Sequence, residues 1–148
     1  MPATIRKIEP RDHDRWLELW EGYCRFYERT LSEPKTRHTW GLIMDATAPV
    51  HAIVAERAGD GVIGMANYII HENTWELTPV CYLQDLFVAE GARNLGVGRT
   101  LIQAVEDRAR AAGASRVYWL THETNADARV LYDRLAERSG FIQYRKLF

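Results

Sequence analysis

The chain has 148 residues, 47% of them hydrophobic and 26% charged, with a formal net charge of −1 at neutral pH. That length makes one domain, residues 1–148, with a core of useful size. The near-zero charge argues against a general nucleic-acid binder, no apolar run reaches the ~18 residues of a membrane helix, and the first residues lack a signal-peptide pattern.

In chain order, residues 3–8 read as a strand, and Asp12 or His13 to about Arg29 as a helix with Trp16, Leu19, Trp20, Tyr23 and Tyr27 on one side. Glu33-Pro34 opens a second helix, with proline in its first turn and Trp40, Ile43 and Met44 as its buried residues. Val50 to Ala58 and Gly61 to Ile70 form a hairpin across Gly59-Asp60. A strand runs from Val80 to Val88, and a helix follows with apolar residues at Val97, Leu101, Val105 and Ala109. Gly113 stops that helix, and Ser115 to Thr121 reads as another strand. A helix from Asn125 and a last strand near Phe141 to Phe148 complete the order. Cys24 and Cys81 are too few and too widely separated for a disulfide framework or a zinc site, which suits a reducing, cytoplasmic setting. His13, His38, His51, His71 and His122 lack ligand spacing, so no metal is expected.

The chemistry concentrates at Arg93-Asn94-Leu95-Gly96-Val97-Gly98, a strand-to-helix turn. Gly96 and Gly98 have no Cβ, so a ligand can come close to the backbone, and the first N–H groups of a helix have no partner of their own. Such a turn binds phosphate. A dinucleotide fingerprint needs a third small residue where Leu101 stands, and a P-loop needs lysine where Arg99 stands, so neither fits. A plain glycine-rich turn is the remaining alternative. Downstream, Asn125 and Tyr132 are seven residues apart, about two helical turns, and fall on one face. Taken singly, Asn125 is also a good N-cap and Tyr132 an ordinary packing aromatic.

The run Arg-x-x-Gly-x-Gly resembles the pyrophosphate loop of the GNAT acetyltransferase superfamily, and the order of elements over the whole chain is similar to that family's layout. The resemblance implies an α/β (α+β) fold: a central mixed, mostly antiparallel sheet of six to seven strands flanked by four helices. It implies an acetyl-CoA-dependent N-acetyltransferase with Arg93, Asn94, Leu95, Gly96, Val97, Gly98 and Arg99 around the diphosphate. Backbone groups of Leu86, Phe87 and Val88, together with Asn125 and Tyr132, would hold the pantetheine arm. Tyr82 to Val88 and Val117 to Thr121 look most like the branch of spermidine/spermine acetyltransferases and small fungal histone and polyamine acetyltransferases. That branch implies a homodimer and a primary-amine acceptor: a polyamine, a lysine-like amine or a basic protein tail.

A primary amine with a pKa near ~10.4 must lose a proton before it attacks. Tyr132, protonated at neutral pH, is the candidate acid for the departing sulfur. The polyamine branch carries Glu-Asp where this chain has Gln84-Asp85, so the family's proposed base does not transfer. Asp85 is the candidate base or ammonium anchor, with Gln84, Tyr27 and Glu28 beside the substrate, Glu123 a weaker carboxylate, and a water relay or a purely structural Asp85 also open. A non-catalytic acyl-CoA-binding domain is the rival reading, resting on the missing glutamate at 84. Charge is divided: residues 1–92 carry nine Lys/Arg against fourteen Asp/Glu, and residues 93–148 ten against six. The positive part holds the loop expected to meet the polyanionic coenzyme.

Overall fold

The computed structural model describes residues 2–30 and 32–148. Its elements are β1 (Thr4–Lys7), α1 (His13–Phe26), α2 (Glu33–Met44), β2 (Val50–Arg57), β3 (Gly61–His71), β4 (Val80–Val88), α3 (Val97–Ala111), β5 (Val117–Tyr118) and α4 (Ala126–Leu135), with short 3₁₀ turns at Pro10–Asp12 and Glu90–Ala92. The strands form one mixed sheet in the order β1-β2-β3-β4-β5. The first three neighbouring pairs are antiparallel and β4-β5 is parallel.

Strand alternation sorts the core into two layers. Ala52, Val54, Val62 and Met65 face α1 and α2, against Trp16, Leu19 and Ile43. Ile53, Ala55, Ala66, Tyr68, Cys81 and Leu83 face α3, against Leu101, Ile102, Val105 and Ala109. The entry of α3 lies close on the sheet at Gly64, where an added Cβ would come within 3.1 Å of both Val97 and Leu101. Local signals set the ends of the elements. Ser32 accepts a hydrogen bond from the Lys35 amide at 3.4 Å and starts α2. Gly113, at φ +85°, ends α3 with its N–H on the Arg110 carbonyl.

Three sequence expectations need correction. Helix α1 stops at Phe26 rather than near Arg29, and Glu28 adopts a left-handed backbone at φ 54°. The Ser115–Thr121 strand is reduced to Val117–Tyr118, the two residues that register with Cys81 and Tyr82 of β4. Residues 141–148 form no strand: among the described residues the sheet has five strands, not six or seven. A strand needs a neighbour to take its backbone hydrogen bonds, and this segment has none among the described residues.

Candidate active site

The site begins with a slip of register. Asn67 of β3 is opposite Asp85 and Tyr68 is opposite Leu83, which leaves Gln84 as the extra residue of a β-bulge. Before the bulge, Cys81 and Leu83 face α3; after it, Leu86 and Val88 do. One inserted residue thereby turns Asp85 and Phe87 to the α1 face, where regular alternation would have placed them under α3. Gln84 itself is exposed.

On the α1 face, Asp85 meets neutral donors. The Asn67 amide donates to it at 3.0 Å, and the Tyr23 hydroxyl does the same. Burial pushes the Asp85 carboxyl above its ordinary value, opposed by those two hydrogen bonds and by the charge of Arg29. Burial and the adjacent carboxylate push the Tyr23 hydroxyl far up, so it remains a donor. The Tyr23 and Tyr27 rings meet edge to face with centroids 5.0 Å apart, and Phe87 supports Tyr23 at 5.8 Å. Gly22 leaves room for Phe87: an added Cβ would come within 3.1 Å of the ring tip.

On the other side of the sheet, β4 and β5 diverge beyond Tyr82, so the last part of β4 has an open edge. The Ala89 N–H goes to the Ile63 carbonyl at 2.8 Å. Alternation then directs the Val88 and Leu86 N–H groups at the open edge, and the Phe87 N–H back into the sheet. Arg93 donates from Nε to the Val88 carbonyl at 3.3 Å and lies over the Phe87 ring at 5.8 Å. Gly96, at φ +79°, opens α3 with no side-chain cap, and the first helical bond runs from the Thr100 N–H to the Gly96 carbonyl. The N–H groups of Val97, Gly98 and Arg99 are thus left without a partner inside the helix. Gly98 lies beside Val88 and Leu131, so loop, strand and α4 converge there.

Asn125 precedes α4 but does not cap it; its amide instead donates to the Thr121 hydroxyl at 3.4 Å. Tyr132 packs edge to face on Trp119, with centroids 5.5 Å apart, and burial raises its hydroxyl above the usual value, with Tyr27 a smaller contributor. Asp85, Tyr23, Tyr27 and Tyr132 therefore form an arc from the α1 face to α4. Glu28 is exposed on the turn after α1, and Glu123 is exposed with its carbonyl accepting from Arg129 at 2.6 Å. Among the described residues, neither carboxylate has a hydrogen bond or ion pair to this arc. Tyr23 and Asn67 were missed as site residues by the sequence reading. Tyr23 is one helical turn before Tyr27, and Asn67 is the one polar residue inside the run Val62–Ile70, so both had a detectable signal. Among the described residues no cluster of three or more His, Cys, Asp or Glu has the geometry of a metal site, and Cys24 and Cys81 are free and buried.

The family model of the Acetyltransferase (GNAT) family matches residues 14–136. The chain belongs to the GNAT acetyltransferase family. It is 34% identical to the D-amino-acid N-acetyltransferase HPA3 of Saccharomyces cerevisiae, over 97% of this chain and 89% of that protein. Another relative is the thialysine N-epsilon-acetyltransferase of Caenorhabditis elegans, 28% identical over 65% of this chain and 62% of that one. Among solved structures, AAC(6')-Iy in complex with a bisubstrate analogue, CoA-S-monomethyl-acetylneamine, shares the fold with a TM-score of 0.83 at 22% identity, covering all of both chains. The protein is thus an acyltransferase of the GNAT family, whose acetyl donor is acetyl-CoA. These relatives place it in the family without placing it in the polyamine-acetylating branch.

Proposed function

We propose that this GNAT protein acetylates a small cationic primary amine, with Asp85 receiving the amine's proton and Tyr132 supplying one to the departing sulfur. The observation that carries this reading is the pairing of two groups whose pKa values are raised by burial. Asp85 becomes a better base, and Tyr132 stays protonated and able to donate, at opposite ends of the Tyr23-Tyr27 arc. Similarity to a D-amino-acid N-acetyltransferase and a thialysine N-epsilon-acetyltransferase favours an amino-acid-like amine within the wider set of polyamines, lysine-like amines and basic tails.

The residues present fit acetyl-CoA. The unpartnered N–H groups of Val97, Gly98 and Arg99, at the positive end of α3 and beside Arg93, suit a diphosphate. Asn94 and Leu95 shape that turn, Asn94 in a left-handed conformation at φ 65°. Leu86 and Val88 offer N–H groups along the open strand edge, and the Asn125 side chain is free of a capping role. When bound, acetyl-CoA supplies a thioester carbonyl for attack and a thiolate leaving group. Asp85 attracts the ammonium and takes its proton, Tyr23 and Asn67 fix the carboxylate, and Tyr132 hydrogen-bonds the sulfur. Gln84 and Tyr27 border the amine; the exposed Glu28 and Glu123 stay outside the scheme.

Free-thiol release across a panel of D- and L-amino acids, diamines and lysine-containing peptides, with mass spectrometry of the products, tests this reading. Amine-dependent release and an acetylated amine are the expected result. Thiol release that no amine accelerates would overturn the acceptor class.

A further inference from the structure

Strand pairing gathers three basic side chains at the end of the sheet away from the loop at 93–99. His51 of β2 registers with Tyr68 of β3, and their rings stack with centroids 5.1 Å apart and an interplanar angle of 21°. Lys7 of β1 registers with Ile53, two residues along β2, so alternation puts Lys7, His51 and Tyr68 on the α3 face. Arg108 comes to the same place from α3, on the face of the buried Val105 three residues before it, and its charge acts on the Tyr68 hydroxyl. About three helical turns separate it from Val97, where α3 begins.

These groups border a cleft of about 300 Å³ with apolar walls from Ile43, Met44 and Ile53. Small-molecule sites combine such walls with a few convergent polar groups. The polar groups here lack partners of their own. Among the described residues the Lys7 and His51 side chains make no hydrogen bond or ion pair, and Arg108 donates only to the Ala104 carbonyl of its own helix, at 3.5 Å. Tyr68 is 7% exposed, yet its hydroxyl has no hydrogen-bond partner among the described residues. Asp45 is the one carboxylate lining the cleft; it is exposed, and its Oδ1 accepts from the Thr47 N–H at 2.9 Å and from the Thr47 hydroxyl at 2.7 Å. A basic residue in the last turn of a helix has a use of its own against the helix dipole. That explains neither Lys7 and His51 across the cleft nor the open Tyr68 hydroxyl.

We propose that this cleft binds a compact organic dianion, a phosphate monoester or a dicarboxylate, with its charge between Arg108 and Lys7 and its body against the apolar walls. Arg108 presents a planar fork of donors that matches either anionic group, and Lys7 adds a point charge opposite it. The Tyr68 hydroxyl donates a further hydrogen bond. Partial burial, and after it the charge of Lys7, hold the His51 imidazole below its ordinary pKa. A dianion beside it counters the second effect, so His51 gains a proton more readily in the complex. None of these residues belongs to the proposed acetyl-transfer machinery, so the site is independent of that reading.

NMR titration of the isotope-labelled full chain with phenyl phosphate, phthalate and benzoate, at neutral pH and low salt, tests the site. At least one of the two dianions is expected to give saturable shifts at the amides of His51, Tyr68 and Arg108, and the tighter of the two identifies the anionic group. Benzoate, with one charge on the same ring, should bind more weakly than that dianion. The Lys7→Gln, Arg108→Gln double variant should weaken dianion binding at least about tenfold, whereas Gly98→Asp, at the other end of α3, should leave the shifts at these three amides as they are. Both replaced side chains reach solvent, so the double variant should fold; if it does not, Lys7→Gln alone is expected to weaken binding several-fold. The His51 titration midpoint should rise when the dianion is bound. No saturable shift from either dianion at millimolar concentration, shifts confined to residues 96–99, benzoate binding as tightly as the dianions, affinity untouched by the loss of the cations, or a His51 midpoint that ignores a bound dianion would each overturn the proposal.

Discussion

A carboxylate held by the Asn67 amide and the Tyr23 hydroxyl keeps its charge with less support than a direct ion pair would give, which is why burial prevails and the Asp85 pKa rises. The Tyr23 hydrogen bond lowers that pKa, so its removal must raise it further. Tyr23→Phe is therefore expected to move the acidic limb of kcat/KM to higher pH, because Asp85 stays protonated longer as pH rises; an unchanged limb would detach Tyr23 from the base. Asp85→Asn, which keeps the shape and removes the buried charge, is expected to raise the urea midpoint at neutral pH while lowering kcat. The sign follows from linkage: a carboxyl whose folded-state pKa is raised costs stability once pH passes its unfolded value, and that cost disappears with the charge. Tyr132→Phe keeps the ring against Trp119 and deletes only the hydroxyl. If the hydroxyl is the acid, kcat falls by about 10²–10⁴-fold with acetyl-CoA affinity little changed. A wild-type rate would leave Tyr132 a packing residue.

At the scale of elements, β1, the turn after it and β2 are held together by Arg6. Its guanidinium binds Asp12 bidentately at 2.8 and 2.9 Å and Glu56 at 2.8 Å, while Asp12 also accepts the Glu9 N–H at 2.8 Å. The Arg6 side chain holds the Asp12 carboxyl below its usual range, and Asp12 is 6% exposed. Arg6→Ala leaves that carboxylate buried and unpaired, and is expected to cost about 3 kcal/mol in urea unfolding at pH 7. Because the folded-state pKa of Asp12 is depressed, the contribution is fully present above the unfolded value of about 3.9 and lost as pH falls through the folded one. The gap between wild type and variant should accordingly narrow in acid; a constant gap would mean lost packing rather than lost charge. Elements of this kind were legible in the sequence where alternation or capping marks them. The hairpin appears at Val50–Arg57 and Gly61–His71, within a residue of its expected span, and Glu33-Pro34 opens α2 as expected. The bulge at Gln84 was not legible, since inserting one residue in Val-Cys-Tyr-Leu-Gln-Asp-Leu-Phe-Val changes the faces without changing the composition. Nor was the fate of Phe141–Phe148, whose composition suits a strand but which pairs with no strand among the described residues.

For the molecule as a whole, the division of charge has a kinetic meaning. Residues 93–148 carry the excess of Lys and Arg, and they include α3 with its open N-terminal N–H groups and Arg93 beside the strand edge. A cluster of one sign at the mouth of a site concentrates a ligand of the other sign, and salt weakens the effect as the screening length shrinks from about 10 Å at 0.1 M to about 3 Å at 1 M. If the loop at 93–99 receives the polyanionic donor, KM for acetyl-CoA should rise steadily with ionic strength. Gly98 separates this long-range term from the contact itself. An added Cβ there would meet Leu131 at 3.8 Å and Val88 at 3.9 Å, ordinary packing distances, so Gly98→Ala should fold normally. Gly98→Asp starts from the same Cβ and adds a carboxylate, a negative charge at the helix N-terminus that the helix itself tolerates. Its expected effect is a loss of acetyl-CoA affinity of at least about tenfold, or roughly 1.4 kcal/mol, in calorimetry at low salt, with a smaller loss at high salt and an unchanged thermal midpoint. Equal losses for Ala and Asp would assign the effect to crowding, and no loss in either would move the diphosphate away from α3.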